Sequence, residues 1–159
     1  MKIRIIAVGK LKEDYLKKGI AEYLKRLKSY VDIEIIEIID EKAPENLSEK
    51  ELEQVLEKEG QRILKKLPKD AYIISLSINA KELSSEQFAQ KIKTFENKGV
   101  KNLVLIIGGS NGLSKTVLSL SDEEISFSKL TFPHQLMRII LAEQIYRAYR
   151  IINNHPYHK

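Results

Sequence analysis

Residues 103–159 read LVLIIGGSNGLSKTVLSLSDEEISFSKLTFPHQLMRIILAEQIYRAYRIINNHPYHK. Leu103 to Ile107 is an unbroken apolar run, the pattern of a parallel strand covered on both faces. Gly108, Gly109 and Gly112 follow at once. Glycine at a strand's carboxyl end lets a ligand approach bare backbone, and ligands of open α/β sheets bind at such ends. The run is neither GxGxxG nor a Walker A loop, so it specifies neither a dinucleotide nor a nucleoside triphosphate, and an ordinary turn accounts for it equally well. Residues 125–128 predict a short strand and 129–132 a turn. Residues 133–152 predict a helix opened by Pro133, where proline is best tolerated. That helix is apolar nearly all round. Met137, Leu141, Ile145, Ala148 and Ile152 form one arc, and Leu136, Ile139, Ile140 and Tyr146 lie on other sides. Only Glu143, Arg147 and Arg150 make a charged stripe. Such a helix must be covered on more than one side. The sheet is expected to cover one side and a second copy of the chain the other.

Upstream, strands and helices alternate. Residues 3–8 predict a strand and 11–29 a helix with Leu16, Ile20, Tyr23, Leu24 and Leu27 on its core face. The outer face of that helix is basic (Lys17, Lys18, Lys25, Arg26, Lys28), which reads first as solvation and second as RNA contact. Residues 33–39 predict a strand whose glutamates fall three apart, as suits an edge. DEKAPEN (40–46) is a polar connector. Ser48 with Glu51 and Ser84 with Gln87 have capping-box spacing, flanked by the staple pairs Leu47/Leu52 and Leu83/Phe88. They open helices over 48–66 and 84–97. The first buries Leu52, Val55, Leu56, Ile63 and Leu64. Between the two helices, 71–76 predicts a third strand. The alternation predicts one α/β domain over 1–159, a mostly parallel sheet with helices on both faces.

Composition narrows the classes. Lys and Arg number 27 against 22 Asp and Glu, and the resulting net charge of +5 suits a polyanionic partner and a solvated surface equally. The absence of cysteine excludes disulfides and thiolate metal sites. The first apolar run is too short for a signal peptide and no segment approaches a membrane span, so a cytoplasmic protein without membrane contact is expected.

GGSNG (108–112), SFSKLTFPHQLMRIILAEQIYRAYRI (126–151) and NNHPYHK (153–159) together resemble the ribosomal RNA large subunit methyltransferase H family, which are SPOUT-class enzymes. The resemblance runs the length of the chain, through MKIRIIAVGKLK, DEKAPEN and EGQRIL. It implies a deep C-terminal trefoil knot, the α/β-knot, where the general rule is that chains do not thread loops. It also implies S-adenosyl-L-methionine as cofactor, no metal, and methylation of N3 of a pseudouridine in large-subunit ribosomal RNA. The implied acting unit is a homodimer, working on the assembled ribosome and not on DNA. Carried over by motif, the cofactor pocket is Leu76, Gly108, Phe127, Ser128, Lys129, Leu130, Thr131 and Phe132, with Gly109 and Gly112 shaping the loop. Without the resemblance, Leu76, Phe127 and Phe132 read as core.

On the substrate side the candidates are His134, Arg138, His155, Tyr157 and His158. His134 falls in the first turn of the long helix, where the dipole disfavours its protonation. Arg138 lies one turn on, spaced to bind phosphate or to stabilise a deprotonated uracil ring. Tyr157 suits stacking on a base. His155 and His158 have H-x-x-H spacing but lack the further ligands of a closed zinc site. The tail reads as a frayed terminus or as a segment folded over an active site, its own or the partner subunit's. Its content of His, Pro and Tyr favours the second. Two other functions remain open at this stage. One is a non-catalytic RNA- or ribosome-binding module of the same fold. The other is a small-molecule enzyme with a different adenine cofactor, against which VGKLK (8–12), lacking GxGxxG after the first strand, counts.

Overall fold

In a computed structural model describing residues 1–159, the chain runs β1 (Lys2–Val8), α1 (Asp14–Leu27), β2 (Asp32–Ile38), α2 (Glu49–Leu64), β3 (Ala71–Glu82), α3 (Ser85–Asn97), β4 (Asn102–Ile107), α4 (Lys115–Leu120), β5 (Glu123–Ser126) and α5 (His134–Ile152). The five strands are all parallel, in the order β2-β1-β4-β3-β5. Ile3, Ile5, Ala7, Leu103, Leu105 and Ile107 pack with α1, α3 and α5 on one face. Ile6, Val8, Val104 and Ile106 pack with Ile63 of α2 and Val117 of α4 on the other. Coverage on both faces is why β1 and β4 read as unbroken apolar runs. β2 is an edge strand, as its glutamate spacing suggested. No helix is long and apolar enough to cross a membrane.

α5 lies between α1 and α3 on the sheet. Leu141, Ala142, Ile145 and Ala148 are fully buried, each of the larger pair contributing about 1.5–3 kcal/mol. Within one chain, therefore, the sheet and both flanking helices share α5's apolar circumference. Leu136 is the one large apolar side chain of α5 left exposed, at 38%. α1 and α3 cover the flanks of α5, so a second copy would have only the outer surface around Leu136 left to cover.

Ser84 forms the full capping box with Gln87. Ser48 caps α2 through the Glu51 N–H, but Glu51 accepts from the Ser48 hydroxyl instead of reaching back to the backbone. Two strand boundaries differ from expectation. β5 begins two residues earlier than Ile125 and ends at Ser126. β3 continues past Leu76 to Glu82, because Lys81 and Glu82 pair with Ile125 and Ser126 after an irregularity. That return to the sheet depends on a partner strand about fifty residues away in sequence, so the local pattern SINAKE does not reveal it.

Candidate active site

The carboxyl ends of β3, β4 and β5 surround one crevice of about 470 Å³, within the range of small-molecule sites. Leu76, Ser77, Ile78 and Asn79 form one wall, and Ile107 through Leu113 with Leu118 form the second. Phe127, Ser128, Leu130, Thr131 and Phe132 form the third, closed below by His134 and Met137 of α5. The glycine wall is a tight hairpin in which Gly112 N–H donates to Gly109 O at 3.1 Å. A Cβ on Gly108 would lie 2.5 Å from Gly112 O, so only glycine fits this close approach of backbone to backbone. In the third wall, the Ser126 hydroxyl donates to Ser128 O (3.0 Å) and the Leu130 N–H donates to Ser128 Oγ (2.9 Å). The backbone groups of Thr131 and Phe132 make no hydrogen bond within the chain, leaving donors and acceptors at the crevice free to read a ligand's edge.

His134 is half-buried, and its pKa is lowered by desolvation first and by the neighbouring Arg138 charge second, against an opposing pull from Asp40. A neutral imidazole is thus held at the crevice floor. Arg138 is only 1% exposed. Its Nη1 donates to Glu37 (2.8 Å), and its Nη2 donates to Gly9 O (2.7 Å) and Val8 O (3.2 Å). Both terminal nitrogens are thus taken up within the chain, while the buried Nε has no partner.

Of the sequence-predicted cofactor residues, Leu76, Gly108, Gly109, Gly112, Phe127, Ser128, Leu130, Thr131 and Phe132 all line the crevice. Lys129 belongs to the same loop but is exposed and is not part of the lining. His155, Tyr157 and His158 are not brought to the crevice of their own chain. His155 Nδ1 lies 2.8 Å from the Tyr30 hydroxyl, Tyr157 donates to Glu143 (2.9 Å), and His158 Nε2 lies 2.8 Å from Glu86. The tail is thus docked on α5, α3 and the end of α1 rather than frayed. Burial first, and the Glu143 contact second, push the Tyr157 phenol up to about 12. No cluster of three metal-ligating side chains forms around His155 and His158. Sequence reasoning missed Ser77–Asn79, which the extension of β3 carries into the site, and it missed Glu37. A glutamate in an edge strand gives no signal of a partner on a helix about a hundred residues away.

A parallel α/β sheet with a cofactor-sized crevice at the carboxyl ends of its strands, built from three turns, defines the class of α/β proteins that hold a small ligand at their strand ends. Within that class the chain belongs to the SPOUT methyltransferase family: the family's sequence model, described as "Predicted SPOUT methyltransferase", matches residues 1–158. A protein from Enterococcus faecalis named Ribosomal RNA large subunit methyltransferase H is 58% identical over 159 residues, all of both chains. One of the same name from Listeria monocytogenes is 56% identical, again over the full length of both. Among solved structures, a probable methylase family protein from Haemophilus influenzae Rd KW20 shares the fold, with a TM-score of 0.55 at 12% identity, covering 99% of this chain and 70% of that one.

Proposed function

We propose that this chain methylates N3 of a pseudouridine in large-subunit ribosomal RNA, using S-adenosyl-L-methionine, as a homodimer acting on the assembled ribosome in the cytoplasm. The observation that carries this reading is the full-length identity of 58% to a protein named for methylation of that RNA, joined to a crevice whose size, glycine wall and free backbone groups suit a nucleoside-bearing cofactor. When bound, the cofactor supplies an electrophilic methyl group, which passes to N3 as its bond to sulfur breaks. Phe127, Phe132 and Leu76 offer apolar surface to the adenine, and the backbone of Thr131 and Phe132 offers hydrogen bonds to its edge. N3 must lose its proton. His134, held neutral at the crevice floor, is the group that accepts it through a ring nitrogen.

The homodimer is supported by reach. α5 has 19 residues and is about 28 Å long. The seven residues after it span at most about 25 Å when extended. A tail rooted at the far end of α5 therefore falls short of His134 in its own chain, so a tail that serves a crevice serves that of a second chain. The implied knot is supported by β5 pairing with both Leu76 and Lys81 of β3, which puts the return to α5 beside the segment leading into α3. The test is transfer of labelled methyl from S-adenosyl-L-methionine to assembled ribosomes, isolated large subunits and naked RNA side by side, with nucleoside analysis. Label in N3-methylpseudouridine supports the reading. Cofactor binding without transfer to any RNA would favour the non-catalytic module.

A further inference from the structure

Beside the crevice lies a turn that the fold holds rigidly while leaving its side chains unused. It joins β1 to α1 over residues 9–13. Gly9 N–H donates to Ile38 O (2.7 Å), and Gly9 O accepts from the buried Arg138. Leu11 N–H donates to Glu37 Oε2 (2.9 Å), the same oxygen that accepts from Arg138. The backbone on both sides of Lys10 is thus tied to β2 and to α5. Gly9 has φ +96°, and a Cβ there would lie 3.6 Å from His134 Nε2, so the turn abuts the residue at the crevice floor. Burying a guanidinium is costly, and here Nη1 and Nη2 are paired to the turn and to Glu37 while the buried Nε has no partner. A buried arginine therefore fixes a surface turn whose own side chains contribute nothing to the core. Lys10 and Lys12 are exposed and form no ion pair. Glu13 and Asp14 follow, at the start of α1, where the helix dipole favours acids.

We propose that this turn is a phosphate-docking element for the RNA strand carrying the target base, with Lys10 and Lys12 each meeting a backbone phosphate and the Arg138–Glu37 clasp setting their distance from His134. A polyanionic strand is the occupant because Lys10 and Lys12 are two exposed, unpaired cations beside the crevice of a chain with net charge +5, and lysine binds phosphate as a point charge. Contacts of this kind fix register and orientation and leave base choice to the pocket. The inference rests on the RNA substrate proposed above.

The experiment measures retention of large-subunit ribosomal RNA by the full chain across a range of KCl. For the double variant Lys10→Gln/Lys12→Gln, the slope of log K against log salt should become shallower by about 1.4, at about 0.7 per single-strand phosphate contact. Affinity for S-adenosyl-L-methionine and the melting temperature should be unchanged. Lys10→Arg/Lys12→Arg should keep the wild-type slope. Lys98→Gln/Lys101→Gln, also exposed but on the turn before β4, at the opposite (amino) ends of the strands, should also keep it. An unchanged slope in the first double variant, or an equal loss in the opposite-end pair, overturns the proposal. Binding is read apart from methyl transfer. A chain that shows this slope change yet transfers no methyl group upholds the docking element and overturns the proposed function. A chain that methylates RNA while the first variant keeps the wild-type slope overturns the docking element alone.

Discussion

Replacing Gly108 by alanine puts a methyl group 2.5 Å from Gly112 O, 2.7 Å from its carbonyl carbon and 3.1 Å from its Cα. All three are backbone atoms, so no side-chain rotation relieves the overlap and the hairpin over 109–112 must open. Opening it loses the Gly112 N–H to Gly109 O bond, worth about 1 kcal/mol, and adds about 1–3 kcal/mol of overpacking strain. The same hairpin is one wall of the crevice. If about half of that distortion, about 1–2 kcal/mol, is felt by the ligand, S-adenosyl-L-methionine binds roughly 5- to 30-fold more weakly, at 1.4 kcal/mol per tenfold. Two other glycines separate the clash from the general effect of losing a glycine. Gly112 has φ +87° and Gly99 φ +73°, and neither has an atom within 4 Å of the added Cβ. Each alanine there costs about 1–2 kcal/mol for its left-handed backbone, but Gly99 lies before β4, away from the crevice. Calorimetric titration with thermal melting should show all three variants destabilised. Affinity should fall most for Gly108→Ala, less for Gly112→Ala and not at all for Gly99→Ala. A Gly108→Ala protein that binds the cofactor within twofold of wild type would refute the assignment of this closed hairpin as the cofactor wall.

Three further outcomes follow from single groups. With His134 as base, kcat/KM should rise with pH along a limb centred below the ordinary imidazole value, since burial and Arg138 lower its pKa. His134→Gln should remove that limb and cost about 10²- to 10⁴-fold in kcat. The same depression means the unfolded chain binds the proton more readily. His134 therefore subtracts stability as pH falls through the ordinary imidazole value, and the glutamine variant should lose less on acidification. Tyr149 is buried and donates to Glu96 (2.6 Å). Tyr149→Phe should cost about 1 kcal/mol in denaturant unfolding, because the exposed Glu96 recovers water in place of the phenol. Glu59 is 6% exposed and accepts the Glu41 N–H, and desolvation raises its pKa. The native state therefore holds that proton more tightly than the unfolded one, and stability from this group is lost as pH rises through the folded pKa. Glu59→Gln keeps the acceptor and should raise the melting temperature at neutral pH while flattening its rise toward acid.

The parts legible in the sequence are those set by local physics. Two-sided burial made β1 and β4 apolar runs, Ser84 and Gln87 announced α3, and the glycines after Ile107 marked the crevice. What could not be read depends on partners distant in the chain. The second pairing of β3 with β5 carries Ser77–Asn79 into the site, and nothing in SINAKE requires it. Arg138 shows the same limit more sharply. Its place one turn after His134 is visible in the sequence, but whether its charge points to substrate or inward is decided by Glu37 and two carbonyls at the end of β1. Glu59 lies three or four residues from Val55, Leu56 and Ile63, so helical periodicity puts it on the buried side of α2 and only its charge argues for solvent.

The proposed dimer rests on two separate grounds. α1 and α3 cover the flanks of α5 but leave Leu136 exposed on its outer surface. Reach has the sharper consequence, because a tail that serves a crevice must serve that of the other chain. Deleting residues 153–159 should then leave cofactor affinity nearly unchanged and abolish turnover. Mixing that chain with His134→Gln, after joint unfolding and refolding, should restore activity. The truncated chain has a sound crevice and the His134 variant has a sound tail. In a twofold-symmetric dimer about half the randomly paired molecules are mixed and each has one competent site of two, giving about a quarter of wild-type activity. If the tail served its own chain, neither partner would ever combine a sound crevice with a sound tail. The mixture would then stay as inactive as its components, and the argument from reach would fall with it.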